Sequence, residues 1–339
     1  MSDFSPPRPA PRVSVVIPLY QTERYIAEAL ASVLTQTFDD FEVLVIDDGS
    51  TDRGPYIARQ TGDARVRVVS QINRGLAGAR NTGIREAQGA FIALLDADDR
   101  WHPEKLARHV AMLEARPEVG LSYSASRLIS DDGEDLGLAQ WPSRSKAKAP
   151  DVLCRNPVGN GSAPILRRAA LDAIAFWDER LGRICWFDES YRQSEDIECW
   201  TRLAATSLWQ LALVPFVLTD YRVTTAGLSA NTGRQLETWR RFRAKVGSYA
   251  PVLEAQHGEL AEAYQLRYLA RRAVKSGDGR TALQLMHHAL RCSPKMLAEE
   301  PVRTAVTVVA AALRSATPVE LGRWAMALAP GSPRARLGV

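Results

Sequence analysis

Cysteine is scarce in this chain of 339 residues, and Cys154, Cys185, Cys199 and Cys292 form neither a C-x-x-C pair nor any zinc-ligand spacing. That argues against a disulfide framework and a structural zinc module, and the thiols read as reduced cysteines of a cytosolic protein. Long apolar runs are missing as well. No stretch approaches the ~20 apolar residues of a membrane helix, and the proline-rich segment Met1 to Arg12 lacks the apolar core of a secretion signal. Any membrane process would therefore be served peripherally, at the inner face. Nor is there an excess of one charge: a net charge of +4 is small for this length and implies no nucleic acid, although a locally basic surface could still meet acidic lipids or substrates.

What is present is an ordinary globular composition, 46% hydrophobic and 24% charged, long enough for one large or two modest domains. Residues 1–12 read as a disordered arm. From Val13 to Ser126, short β-branched runs alternate with helical patterns, which implies βαβ units around a mostly parallel sheet flanked by helices. Val13 to Leu19, Glu42 to Ile46, Arg65 to Ser70 and Ala90 to Leu95 are the strands. Between the first two, Tyr25, Ile26, Ala29, Leu30, Val33 and Leu34 recur at helical steps, with Thr22 placed to cap. A glycine-rich turn leads into a helix over Gly75 to Gln88, and another helix starts at Pro103. Val119 to Ser126 is a further strand. Asp132-Gly133 suggests a hairpin turn ahead of a mobile loop that reaches Pro150. Glu195 to Ala205 reads as helix and Leu208 to Leu218 as a buried strand. After about Gln235 the pattern is helical throughout. Leu266 to Ser293 forms two amphipathic helices broken at Gly277-Asp278-Gly279, with alanines spaced as in a tetratricopeptide pair. A single such unit is too few for an array, so residues 235–339 read as a helical appendage.

In open α/β sheets ligands gather at the carboxyl ends of strands, and two acidic clusters fall there. Leu94-Leu95-Asp96-Ala97-Asp98-Asp99 is a hydrophobic strand delivering carboxylates too close together to be charged cheaply without a cation. Hard oxygen donors suit magnesium or manganese with diphosphate oxygens completing the shell; the plain alternative is an acidic cap for the helix near Pro103. Asp47-Asp48-Gly49-Ser50-Thr51-Asp52 could offer a carboxylate to a base N–H or ribose hydroxyl, or be an Asx turn with a helix cap. The first loop, Leu19-Tyr20-Gln21-Thr22-Glu23, has neither the G-x-G-x-x-G of a nicotinamide-dependent oxidoreductase nor the glycine- and lysine-rich loop of a nucleotidylyltransferase.

Taken in order, Val15-Val16-Ile17-Pro18-Leu19-Tyr20, Ser32-Val33-Leu34-Thr35-Gln36-Thr37, Phe41 to Asp52, Asn73-Arg74-Gly75-Leu76-Ala77-Gly78-Ala79-Arg80-Asn81 and Leu95 to Asp99 resemble the inverting glycosyltransferase family 2. The resemblance covers roughly residues 12–230 and weakens past Ser126. It implies an α/β GT-A nucleotide-diphospho-sugar transferase fold over 13–230, with 13–126 the nucleotide-binding half and 127–230 the acceptor half. By the same resemblance Pro18, Tyr20 and Asp48 hold the nucleobase, Arg80 sits near the diphosphate, Asp96 and Ala97 near the ribose, and Asp98 binds the divalent cation. Tyr20 can stack on a base, Arg80 suits phosphate, and glycines 75, 78 and 83 allow close backbone approach, unless they serve helix–sheet packing.

Ser194-Glu195-Asp196-Ile197 is similar to the family's E-D motif, which makes Asp196 the catalytic base; without that likeness it reads as an acid favoured by the helix macrodipole. Asn160-Gly161-Ser162-Ala163-Pro164 and Phe176-Trp177-Asp178-Glu179 resemble the link to the acceptor side, where Trp177 or Trp186 could stack on a sugar. Where the family often has Tyr-Arg-x-His, this chain has Tyr221-Arg222-Val223-Thr224, which removes a histidine ligand for the metal. The implied activity is transfer from a nucleotide sugar, UDP favoured, to a glycan, lipid-linked or protein acceptor in bacterial envelope or exopolysaccharide synthesis. The contrasting expectation is an inactive scaffold whose tail, including the apolar helix Thr304 to Arg314, binds a partner.

Overall fold

The computed structural model describes residues 10–142, 146–223 and 232–316; most of the N-terminal arm, Thr224 and the segment from residue 317 lie outside the described residues. The first half alternates β1 (Val13–Leu19), α1 (Ile26–Leu34), β2 (Phe41–Asp47), α2 (Gly54–Arg59), β3 (Val66–Ser70), α3 (Gly75–Glu86) and β4 (Phe91–Leu94). β1 lies between β2 and β4 and is parallel to both, and β3 extends the sheet beyond β2. Both faces of β1 are covered, which is why it reads as a continuous apolar run. Val13, Val15, Ile17 and Leu19 pack towards α1 and α4 (Lys105–Ala115), whereas Val16 packs towards α3 and α7 (Glu195–Thr206).

Beyond β4 come the short β5 (Arg100–Trp101), then β6 (Val119–Ile129), β7 (Asp135–Gln140), β8 (Lys146–Ala147), α5 (Ala149–Arg155), β9 (Ile165–Arg167), α6 (Arg168–Asp172) and β12 (Gln210–Arg222). The ten-stranded sheet runs β3-β2-β1-β4-β9-β6-β12-β5, with β7 added to β6 and β8 to β12. β12 is parallel to β6, while β9 runs antiparallel between β4 and β6, so the sheet is mixed and its long strands share one direction. A separate hairpin joins β10 (Phe176–Asp178) to β11 (Arg183–Cys185). The brief strands were not legible in sequence because two or three residues carry no periodicity. The turn at Asp132-Gly133 is there, with Gly133 at φ +88°.

Two expectations about local structure change. Thr22 does not cap α1 with its hydroxyl, which has no partner; its carbonyl instead accepts from the amides of Tyr25 and Ile26, and the helix starts a turn later. α4 likewise begins two residues after Pro103. The C-terminal region is helical: α8 (Thr232–Tyr249), α9 (Pro251–Ser276), α10 (Gly279–Cys292), α11 (Lys295–Glu299) and α12 (Pro301–Ala316). Gly277 ends α9 with φ +92°, a left-handed conformation that glycine adopts without strain. α9, α10 and α12 share one core, and a second cluster of Leu153, Tyr191, Ile197, Trp239, Phe242 and Val246 joins α8 to α5 and α7.

Candidate functional site

Parallel register brings the two acidic clusters to one edge of the sheet. Leu19 pairs with Asp47 across β1 and β2, and the amide of Leu95 donates to the carbonyl of Val16 at 3.0 Å, so both clusters flank the end of β1. Tyr20 follows there, half exposed, whereas Pro18 and Ala97 are buried.

The β2 cluster braces loops as well as facing the site. Asp47 accepts from the Ser50 amide at 3.0 Å and the Ser70 hydroxyl at 2.9 Å, and Asp52 accepts from the amides of Glu23 and Gly54. Asp48 is buried and accepts from Gln71 Nε2 at 2.6 Å and from the amides of Arg74 and Gly75, both at 2.8 Å, which ties β2 to the N-terminus of α3. An ionised carboxylate offers about four acceptor positions, so one stays available on Asp48 for a ligand.

At the end of β4 the carboxylates divide their work. Asp99 is buried; its Oδ2 accepts from Ser162 Oγ at 2.6 Å and its Oδ1 from the Arg222 amide at 2.9 Å. Ser162 also accepts from the Asp96 amide at 2.9 Å, and Arg222 Nε donates to the Asp98 carbonyl at 2.7 Å. The turn is thus clamped from both sides. Beneath it, the buried Lys105 ammonium donates to the Ala163 carbonyl at 2.8 Å and to Thr219 at 3.1 Å, where the charge of Asp99 partly offsets a burial that lowers its pKa. The Asp98 carboxylate takes no hydrogen bond from another residue among the described residues. Burial first, and then the charge of Asp96, pushes its pKa up, as burial together with Asp98 and Asp96 does for Asp99. A buried carboxylate beside Asp96 and Asp99, whose raised pKa the charge of Arg222 only partly opposes, fits a divalent cation.

Arg80 is the centre of the cluster. It is buried, and it donates from Nη1 to Glu195 Oε1 at 2.7 Å and from Nη2 to Asp96 Oδ1 at 2.8 Å. Burial favours its loss of charge, but Asp96, Glu195 and Asp196 more than offset this and raise its pKa. Arg80 holds carboxylates of both halves of the site together. Asp196, beside Glu195 in the first turn of α7, is drawn into the same field; burial raises both their pKa values while Arg80 opposes the rise. The structure therefore gathers Arg80, Asp96, Asp98 and Asp196, with Asp48 on the neighbouring strand end.

Lys105 was not singled out by sequence, and Glu195, Ser162, Arg222 and Gly161 stood there only as members of motifs, with no role of their own. The last has no room for a side chain, because a Cβ there would collide with the Arg80 guanidinium and sit 3.0 Å from Asp96 Oδ2. At glycines 75, 78 and 83 a Cβ would meet Arg192, Arg74 with Glu189, and Val16. For Gly83 the helix–sheet packing alternative is the correct one. Trp186 is buried, which leaves Trp177, half exposed, as the aromatic able to stack on a sugar. A second group of potential metal ligands, Glu262, His288 and Cys292, lies in the helical region. There, both oxygens of Glu262 already accept from arginines, Oε1 from Arg240 and Oε2 from Arg243, so guanidinium groups stand where a cation would.

Residues 14–174 match the family model described as glycosyl transferase family 2. The UDP-Glc:alpha-D-GlcNAc-diphosphoundecaprenol beta-1,3-glucosyltransferase of Escherichia coli is 26% identical over 226 residues, 66% of this chain and 82% of that protein. Uncharacterized glycosyltransferases of Nostoc and Rickettsia are 31–35% identical, and this chain spans 45% or less of their length. Among solved structures, Staphylococcus aureus TarS in complex with UDP-GlcNAc superposes with a TM-score of 0.60 at 19% identity, covering 93% of this chain and 87% of that one. The mannosyltransferase of Pyrobaculum calidifontis in complex with GDP-Man and Mn2+ gives 0.56 at 24% identity, covering 93% and 88%. With the motifs on the strand ends of a mixed, helix-flanked sheet and these likenesses in agreement, residues 14–174 resemble glycosyl transferase family 2 and the chain is built on the GT-A fold.

Proposed function

We propose that the chain is a metal-dependent inverting glycosyltransferase that moves a sugar from a nucleotide-diphosphate sugar, a UDP-sugar first among them, to an acceptor hydroxyl in surface polysaccharide or glycoconjugate synthesis. The observation that carries this reading is the buried Asp98 carboxylate, which among the described residues takes no hydrogen bond from another residue, on a turn clamped by Ser162 and Arg222 and joined through Asp96 and Arg80 to the first turn of α7, where Asp196 lies. The relatives support the donor class: the Escherichia coli enzyme is named for UDP-Glc, and the two solved structures hold UDP-GlcNAc and GDP-Man with Mn2+. The former's acceptor, a diphosphoundecaprenol-linked sugar, supports a lipid-linked acceptor here.

In this reading Tyr20 stacks on the nucleobase beside Pro18, and the remaining acceptor position of Asp48 takes a base N–H. Asp96 and the backbone at Ala97 lie at the ribose. Asp98 holds the cation, and a bound Mg2+ or Mn2+ supplies positive charge to the departing diphosphate. Asp196 takes the proton of the acceptor hydroxyl as its oxygen bonds to the anomeric carbon. The bond from that carbon to the diphosphate oxygen breaks on the opposite face, and the configuration inverts. A raised pKa suits Asp196 to this task, because a carboxylate of ordinary acidity is a weak base. Arg80 contributes by fixing Asp96 and Glu195, and so the distance between donor and base.

Calorimetry with UDP, GDP and dTDP, with and without manganese, on the parent and on Asp98→Ala is the direct test. Manganese-dependent binding that the variant loses is expected. Absence of binding by any nucleotide under either condition would remove the transferase reading in favour of a scaffold acting through its helical region.

A further inference from the structure

The segment leading into Glu195–Asp196 is held by the C-terminal helical region as well as by the transferase domain. From α3, Asn81 accepts the amides of Trp186 and Phe187 at 3.0 and 2.8 Å and donates to the Phe187 carbonyl at 2.8 Å. From α7, Arg202 donates to the Trp186 carbonyl at 2.6 Å while paired with the buried Glu198. From α8, the Lys245 ammonium donates to Asp188 Oδ2 at 2.7 Å and lies 3.1 Å from Glu198 Oε1, and Arg241 donates to the Ser190 carbonyl at 3.0 Å. Both α8 cations also lie over the Tyr191 ring, Arg241 at 4.6 Å and Lys245 at 5.6 Å from its centroid. Tyr191 and Ile197 are packed under Trp239, Phe242 and Val246 of the same helix.

This grip surrounds a strained position. Ser194, immediately before the E-D pair, has φ +65° and ψ +17°, a left-handed conformation that a residue with a Cβ keeps only where its surroundings impose it. The Asp188–Lys245 pair is charged: burial would raise the Asp188 pKa, but hydrogen bonds from Lys245 and Ser190 bring it down to about 2. Beyond the local bonds between Ser190 and Asp188, it is α8 that supplies cations to these two residues, Lys245 to Asp188 and Arg241 to Ser190.

We infer that α8 is a working part of the active site, with Lys245 and Arg241 acting as positioning residues that hold the loop Asp188–Ser194 so that Asp196 is presented to the acceptor. The inference rests on the transferase reading for its kinetic consequence and on the contacts alone for its structural one. Displacement of a catalytic group by about 1 Å can cost roughly 10²-fold in rate without loss of binding.

The test uses the full chain. Lys245→Met should lower kcat about 10²-fold with KM for the nucleotide sugar and Kd for the nucleoside diphosphate unchanged, and Lys245→Arg should restore most of the rate. Hydrogen exchange should show faster exchange of the Tyr191–Ile197 amides in Lys245→Met, with amides of β1 and β2 unaffected. Should Lys245→Met fail to fold, Arg241→Met, at an exposed position, carries the same comparison with a smaller loss. An unchanged kcat in these variants, a parallel loss of nucleotide affinity, or unchanged exchange at Tyr191–Ile197 would overturn the inference. A parent without transfer activity on any nucleotide sugar would count against the transferase reading only, since the exchange comparison still decides whether α8 holds the loop.

Discussion

Arg80 and Glu195 meet at 2.7 Å although 115 positions separate them in the chain, one on α3 and the other in the first turn of α7. The same guanidinium reaches Asp96, so one buried cation ties the strand that carries the acidic turn to the helix that carries the proposed base. Removing one partner of a buried pair leaves the other uncompensated, at about 3–5 kcal/mol. Arg80→Met should therefore lower the free energy of unfolding by that amount, read as a lower urea midpoint at an unchanged m-value. Arg80→Lys keeps the charge but lacks the fork that spans two carboxylates, and should recover only part. A midpoint equal to the parent's in Arg80→Met would show that the carboxylates do not depend on it.

Asp98 sets function against stability, and the sign can be worked out. Its pKa is raised in the folded protein, by burial and then by Asp96, so the folded state holds that proton more tightly than the unfolded chain does. The metal-free protein is therefore penalised as the pH rises through the ordinary carboxylate range to the raised value, and relieved as the pH falls. In chelator, Asp98→Asn should melt above the parent at about pH 7, with the gap closing towards about pH 4. Manganese should reverse the order by stabilising only the parent, and its affinity should fall in acid as Asp98 takes up its proton. A variant that melts below the parent in chelator at neutral pH would contradict this account.

How much of this was legible follows from the range of the interactions. The alternation of β1 to β4 could be read because β1, β2 and β4 are covered on both faces and stand out as continuous apolar runs between helical patterns. Asp48, Asp96, Asp98 and Asp196 could be found because they stand in short runs of recognisable order. The company they keep could not. Ser162 on Asp99, Lys105 beneath it and Arg222 behind it come from three separate elements, and each looks like an ordinary polar residue in its own segment. The resemblance places Arg80 near the diphosphate, but nothing in its own segment shows the two carboxylates, Asp96 and Glu195, that it holds. Thr22 failed as a cap for a similar reason: the helix start is set by where Ile26 enters the core.

Asp196 should separate chemistry from binding. It lies on α7, in the field of Arg80 and Asp96 but outside the set of residues assigned to the nucleotide, so Asp196→Asn should lower kcat by about 10²–10⁴-fold, the range for loss of a general base, with nucleotide affinity unchanged. Its raised pKa places the acid limb of the parent's kcat profile above the ordinary carboxylate range, because activity is lost as the base takes up its proton. Isothermal titration and steady-state kinetics on the same preparations decide it. A variant that keeps its kcat would move the base elsewhere, with Glu195 the nearest candidate.

Gly161 offers a steric probe of the Arg80 bridge that leaves every charge in place. Its backbone is not in the left-handed region, so alanine would be unstrained there but for the space, which the Arg80 guanidinium and Asp96 Oδ2 already fill. Overpacking of this kind costs about 1–3 kcal/mol. Because the clash is with Arg80, the cost should depend on it: in a double-mutant cycle, Gly161→Ala together with Arg80→Met should destabilise by less than the two single changes added. Additive costs would mean that Gly161 acts through some other contact. A Gly161→Ala protein with unaltered stability and reduced kcat would be equally informative, since the guanidinium would then have yielded, carrying Asp96 and Glu195 out of register with each other.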